Sequence, residues 1–382
     1  MKAIVLVGLY LVFSSHLLAT DGTLSEENVE QSNLTVMYYN VENLFDSIHD
    51  EGKNDWQYLA KGTPGKKEYC ETVTNSYYKR SCFNTDWNDK KLAIKIDKTV
   101  EAILSHDGTV PDFLGLSEVE NERVVHMLAK KLGYEHVYVT NSPDKRGIDV
   151  ALLYKSNKRI KFKASHEHKM TSEVFINRPT RNILEVELVL DDASDISMFV
   201  NHWPSQGAPA PVRVEVAEKL KSVINAQLEK HPQKHIVAMG DFNTIESDYP
   251  HPFNSVLFAG DNALVDMHDL YQADRSISWS TKNAMPLGTY FYARSMQWNR
   301  LDRFFVSDNI VDKQGLEADV ASYRIVSNSI ISKEFEYTDT NNYNYGTKVK
   351  GIPFRYDHNL ESTQTQGYSD HFPIVFELTM KN

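Results

Sequence analysis

Short apolar runs separated by polar turns, with a few longer stretches of helical spacing between them, make up most of this chain. Leu34 to Tyr39 reads as a strand, and Leu92, Ile96, Val100 and Ile103 recur at helical spacing in the 88–105 stretch. Phe113 to Leu116 reads as a short buried strand. Asn121 to Leu132 reads as a helix closed by Gly133, a residue suited to a left-handed C-terminal cap. Further strands are predicted at 148–154, 183–190, 196–200, 235–239, 301–306 and 373–378, with a long amphipathic helix from Val212 to Lys230. Many strands with interspersed helices and no strict βαβ alternation predict two packed sheets with outer helices. The segments 46–90 and 311–366 carry no such pattern and read as long loops or insertions, of the kind that shape binding on a compact scaffold.

Composition narrows the class. With 382 residues, 41% hydrophobic and 24% charged, the chain can bury a large core, and it has neither an internal repeat nor a long Gly, Ser or Pro linker. A single domain over 21–382 is expected, behind a leader of about 20 residues. There Lys2 precedes AIVLVGLYLVF and then SSHLLATDGTLS, the order of a secretory signal peptide, too short for a comfortable membrane span. An uncleaved N-terminal anchor is the alternative. No later stretch is apolar for long enough to cross a bilayer, so a secreted or periplasmic monomer is expected. Cys70 and Cys82 are the two cysteines, and an oxidising compartment favours a local disulfide over free thiols. The net charge of −11 opposes broad capture of nucleic acid, although a local basic patch or a metal ion can still carry a phosphate.

The polar residues fall at the ends of the predicted strands. Tyr38-Tyr39 runs into Asn40-Val41-Glu42-Asn43, Leu116 into Ser117-Glu118, Val200 into Asn201-His202, Met239 into Gly240-Asp241-Phe242-Asn243, and Gly367-Tyr368-Ser369 into Asp370-His371. A rigid sheet can make such groups converge on one mouth, and carboxylate and amide oxygens suit Mg²⁺, Mn²⁺ or Ca²⁺ better than zinc. Taken singly, each fragment has an ordinary explanation. Glu118 fits the first turn of a helix, Asp241 a turn, and His202 a packed loop histidine. Asp302, inside the apolar run RLDRFFVS, is harder to explain away, because a buried carboxylate is costly unless paired. Asp370-His371 could cap a helix, but Pro373 and the apolar run behind it argue for a strand start.

Together, GDFN at 240–243 and SDHFP at 369–373, with YNVENLFD at 39–46, RGIDVALLY at 146–154 and LDRFFVS at 301–307, resemble the endonuclease/exonuclease/phosphatase superfamily, and most closely its secreted bacterial members. The resemblance spans Leu34 to Leu378 and implies an α+β fold, a four-layer αββα sandwich with its site at one edge of the two sheets. It implies a divalent-metal-dependent phosphoesterase, a nuclease before a small-molecule or lipid head-group phosphatase, acting on a phosphate ester such as DNA or RNA. A binding module that has lost catalysis is the non-enzymatic alternative; the full set of site residues speaks against it. By matching position, Asn40, Glu118 and Asp370 would join the metal site, with Glu42 an additional ligand and Asp241 touching a second metal. Asp241 and Asn243 would position or activate water and bind phosphate. His371 would be the general base or a phosphate-stabilising imidazole oriented by Asp302. His202 would bind phosphate or assist the leaving group, and Arg181, with Arg146 beside Asp149, would contact the phosphate. Trp203, Tyr249, Phe253, Trp298 and Arg300 are candidates for stacking on bases, against the alternative of plain packing.

Overall fold

A computed structural model of the chain describes residues 33–381 apart from 192, 193, 341 and 361. The predicted leader lies outside the described residues. The first half of the described chain runs β1 (Leu34–Leu44), α1 (Lys66–Thr72), α2 (Ser76–Asn84), α3 (Asp89–Leu104), β2 (Phe113–Val119), α4 (Glu122–Leu132), β3 (His136–Val139), β4 (Asp149–Tyr154), β5 (Ile160–His168), α5 (Glu173–Ile176), β6 (Ile183–Leu190) and β7 (Ser194–His202). It continues with α6 (Ala210–Lys230), β8 (His235–Asp241), β9 (Leu264–Asp266), α7 (Met267–Ala273), α8 (Trp279–Ala284), β10 (Tyr290–Tyr292), β11 (Gln297–Asn299), β12 (Asp302–Ser307), β13 (Gly315–Ile325), β14 (Ser332–Glu336), β15 (Lys348–Pro353) and β16 (Ile374–Lys381).

Among the described residues, two six-stranded mixed sheets form, ordered β13-β16-β1-β2-β4-β3 and β5-β6-β7-β8-β12-β9. They pack face to face through β1, β2 and β4 of the first and β6, β7 and β8 of the second. Their apolar faces share one core, in which Val36, Leu114, Leu152, Met198, Val237 and Phe304 are fully buried. A second cluster seats α6 on the outer face of the second sheet, through Val216, Leu220 and Ile224 against Phe199, Ile236 and Phe305. On the outer face of the first sheet α3 lies against β1, and α4 packs on α3 and β3. The result is the predicted αββα sandwich. The helix ends follow local chemistry: Asn88 and Asn121 accept backbone N–H groups at the starts of α3 and α4, and Gly133 closes α4 at φ 77°.

The segments expected to be loops are more ordered than their sequence suggests. Within 311–366, β13 pairs with β16 as an edge strand, burying Leu316, Ala318, Tyr323 and Ile325. An irregularity between Asp319 and Arg324 breaks its alternation, which hides it from a period-two pattern. Within 46–90, α1 and α2 are joined by the Cys70–Cys82 disulfide. The buried Lys66 ammonium donates to the carbonyls of Gln57, Leu59 and Thr85 there. These helices are short and largely exposed, so an amphipathic pattern never develops in the sequence.

Candidate active site

β1 and β2 run parallel, with Asn40 opposite Ser117, and β7 and β8 run parallel, with His202 opposite Asp241. Their C-terminal ends therefore deliver Asn40, Glu118, His202 and Asp241 to one edge of the sandwich. β12 runs antiparallel to β8, so its first residue, Asp302, sits opposite Asp241, while His371 lies just before β16, which runs antiparallel to β1. Strand polarity alone thus gathers residues from positions 40 to 371.

Backbone distortion aims the side chains. The registers of β1 and β2 slip between Asn40 and Leu44, and those of β2 and β4 between Ser117 and Val119. Glu42, Asn43 and Glu118 lie in these slips with φ of 52°, 59° and 60°, and Asn243 has φ 47°. Left-handed backbone at four non-glycine residues around one mouth is strain held by its surroundings, and a bulge turns a side chain that regular pleating would send elsewhere. The bulge answers the doubt about Glu118, which ends a strand and does not start a helix. Gly240 is required where β8 passes β7, because a Cβ there would overlap the Asn201 carbonyl.

His371 Nδ1 lies 2.7 Å from Asp302 Oδ2, and its Nε2 lies 3.9 Å from Asp241 Oδ2 and 3.9 Å from Asp370 Oδ1. The imidazole also packs against the Tyr290 ring at 5.0 Å. Asp241 is oriented on every side: Asn40 Nδ2 donates to its Oδ2 at 3.1 Å, the Asn243 N–H to its Oδ1 at 2.9 Å, and its own N–H donates to the Tyr38 hydroxyl at 2.8 Å. His202 Nε2 stands 3.7 Å from both Glu118 Oε1 and Asp241 Oδ2, beyond hydrogen-bond range, and its buried Nδ1 has no hydrogen-bond partner among the described residues. Glu118 Oε2 accepts the Asn43 N–H at 3.1 Å.

Burial and neighbouring charge separate the protonation states of these groups. Burial raises the Asp241 carboxyl to about 7, with Asp302 adding to the shift and His371 opposing it. Burial opposes charge on His371, but the charge of Asp302, its hydrogen bond, and Asp241 and Asp370 beyond it hold the imidazole well above the ordinary histidine value. His202 is driven well below that value by burial and by Arg181, Arg146 and His371, so it is neutral. One histidine is poised as a cation and the other as a neutral base.

The cleft has a volume of about 980 Å³, and Glu118, Arg146, Arg181, His202, Asp241, Asn243, Asp370 and His371 all reach it. Asn40, Glu42 and Asp302 stand behind. Glu42 is buried, held by Arg355 Nε, with its carboxyl raised to about 7 by burial and Asp370 against the pull of Arg355. Arg181 lends Nε to the His202 carbonyl at 3.0 Å, Nη1 to Asp144 at 3.1 Å and Nη2 to the Trp203 carbonyl at 2.5 Å, so it braces the loop after β7 as well as lining the cleft. Asp149 turns away to Thr140 and Ser142. Trp203 and Phe253 are buried in the core beneath α6, so the packing explanation holds for both. Trp298 stacks on Phe372, Arg300 pairs with Asp269, and Tyr249 is 90% exposed but does not line the cleft. Arg355, Tyr38 and Tyr290 are site residues that sequence reasoning missed. Tyr38 adjoins a quoted motif, whereas nothing around Arg355 marks it.

The donor set fits a hard divalent cation. Asp241, Asp302 and His371 can bring one ligand atom each within 4.8 Å of one another, and the Glu118 Oε1 and Asp370 carboxylates face the same cleft. The sequence profile of the Endonuclease/Exonuclease/phosphatase family matches residues 35–380. The chain belongs to that family. It is a metal-dependent phosphoric ester hydrolase. No curated protein matches it by sequence. An endonuclease/exonuclease/phosphatase family protein from Bacteroides thetaiotaomicron superposes with a TM-score of 0.53 at 15% identity, covering 92% of this chain and 99% of that one. A mannosyl-6-phosphatase of B. thetaiotaomicron gives 0.51 at 14%, covering 91% and 100%. D. rerio TDP2 complexed with single-strand DNA product gives 0.50 at 14%, also covering 91% and 100%. These likenesses establish the shared fold of the family.

Proposed function

We propose that this enzyme is a secreted, Mg²⁺-dependent phosphodiesterase that cleaves nucleic acid, with Mn²⁺ or Ca²⁺ as replacement ions, acting as a monomer. The observation that carries the reading is the Asp302–His371 pair at 2.7 Å, aimed past Asp241 into a cleft that also holds a neutral His202 and two arginines. The charged His371 presents an N–H from Nε2 to a non-bridging phosphate oxygen, with Arg146 and Arg181 adding positive charge. Asp241, fixed by Asn40, Asn243 and Tyr38 and with a proton affinity near neutrality, takes the proton of the attacking water. His202 Nε2 lies 3.7 Å from both carboxylates and is free to serve the leaving oxygen. Glu118 and Asp370 would hold a divalent cation there, which would supply charge neutralisation at the phosphate. Secretion is supported by the leader-like sequence order of residues 1–20 and by the Cys70–Cys82 disulfide. Nucleic acid is supported by the breadth of the cleft and its arginines, and single-strand DNA is the product in the D. rerio relative.

A second reading, a phosphatase for small molecules or lipid head groups, draws on the net charge of −11, which disfavours long polyanions. The test is hydrolysis of plasmid DNA, single-stranded DNA, RNA, a sugar phosphate and sphingomyelin by the purified protein, with Mg²⁺, Mn²⁺, Ca²⁺ or EDTA. Metal-dependent cleavage of nucleic acid supports the first reading; turnover of the sugar phosphate or sphingomyelin alone replaces it with the second.

A further inference from the structure

Two exposed tyrosines outside the catalytic set face the cleft from separate elements. Tyr78, on α2, is 59% exposed, and Tyr292, at the end of β10, is 43% exposed; both line the 980 Å³ cleft. A side cavity of about 250 Å³ opens beside Tyr290, Tyr292 and Asp370, with Phe291 and Phe335 as further aromatic walls and Lys333 among its lining residues. The catalytic chemistry needs neither Tyr78 nor Tyr292, and both are too exposed to be core residues.

The helix that carries Tyr78 is tied down on two sides. It also carries Cys82, which is tied to Cys70 on α1, and the Tyr77 ring packs against Tyr78 edge-on at 5.4 Å. The segment is pinned to the rest of the molecule by Lys53, which donates to the carbonyls of Ser142 and Asp144, in the same loop as Arg146. A pre-positioned ring loses little freedom when a ligand stacks on it.

We propose that Tyr78 and Tyr292 form a stacking clamp for unpaired nucleobases on either side of the scissile phosphate, which makes single-stranded nucleic acid the substrate and disfavours duplex. This rests on the nuclease reading above. Bases inside a duplex offer only their edges to a protein, whereas an aromatic ring on a cleft wall needs a free π-face, which a single strand presents at every base. The acidic net charge leaves affinity to such local stacking, because electrostatic capture of long duplex is weak.

The test compares three Mg²⁺-loaded substrates: a short single-stranded oligonucleotide, the same oligonucleotide with every base removed, and its duplex. Wild type is expected to prefer the base-bearing strand over the abasic one by about tenfold in kcat/KM, and over the duplex as well. In Tyr78→Ala and Tyr292→Ala that ratio falls toward one. Cys70→Ser with Cys82→Ser lowers it in the same direction by freeing α2. A wild-type ratio near one, a preference for duplex, or variants that slow both single strands equally would overturn the clamp. Fluorescence anisotropy of the labelled single strands in EDTA keeps the two ideas apart. No cleavage of any strand with Mg²⁺, but tighter binding of the base-bearing strand in EDTA to wild type than to the variants, removes the nuclease reading and retains the clamp. Equal binding of both strands removes the clamp, whatever the cleavage assay shows.

Discussion

The floor of the cleft and its wall are built by different means. On the floor, Asn40, Glu118, His202, Asp241, Asp302 and His371 sit at or beside strand ends, positioned by the pairing of two sheets. On the wall, 46–90 and the segment around Arg355 are short elements held by side-chain devices: the Cys70–Cys82 disulfide, the buried Lys66, the ring contacts of His358 and the ion pair to Glu42. A floor made from ladder hydrogen bonds tolerates no drift, so chemistry belongs there. A wall held by a few links can vary in shape without disturbing the chemistry, so selectivity belongs there.

The largest effects should come from the floor. His371→Ala is expected to lower kcat by about a thousandfold, with circular dichroism unchanged. Asp302→Asn should approach it, because the amide does not hold His371 charged. An active His371→Ala enzyme would move the chemistry elsewhere. Next, Glu118→Gln should raise the metal concentration at half-maximal rate by at least tenfold, since even indirect partners of a metal site cost roughly tenfold to a hundredfold. An unchanged metal titration would remove Glu118 from the metal site.

The division also explains what the sequence makes legible. Strand ends are readable because an apolar run followed by a polar residue appears locally, and the motifs around Asp241 and His371 keep that form. The bond between Arg355 and Glu42 joins residues 313 positions apart, and no local pattern announces it. Trp203 beside His202 invited a stacking role, yet aromatics next to a site can as easily close the core beneath it, as Trp203 does against Phe242 at 4.9 Å. The strand β13 escaped notice because its pattern is broken by a bulge. Helices α1 and α2 escaped because a disulfide and a buried ammonium replace the apolar stripe that usually marks a helix.

The link between wall and floor offers a smaller, graded test. Arg355→Gln removes the cation that restrains Glu42 and approaches Asp370 at 3.7 Å. It should lower kcat/KM by roughly tenfold, in keeping with a charged hydrogen bond. Arg355→Lys should recover part of the loss, because it restores the charge without the fork. If Arg355→Gln behaved as wild type, wall and floor would be independent here.

The smallest effect on turnover, and the sharpest on the wall itself, concerns His358. Its ring packs at 5.5 Å from Tyr58, 5.6 Å from Trp87 and 5.4 Å from Tyr356, where 46–90 meets the Arg355 segment. Burial, with Lys95 and Arg355 nearby, lowers it to about 3 from its ordinary 6.5, so the folded protein keeps it neutral. The unfolded chain binds a proton between pH 6.5 and about 3 that the folded chain refuses, so stability falls as pH drops through that window. At pH 4 the loss amounts to about 3 kcal/mol, a fall of several degrees in Tm. His358→Phe keeps an aromatic ring among the three neighbours and removes the titration. Its Tm should therefore be flatter with pH than wild type below 6.5 while its kcat at neutral pH stays near wild type. Parallel pH profiles for the two proteins would mean that acid loosens the molecule somewhere other than this junction.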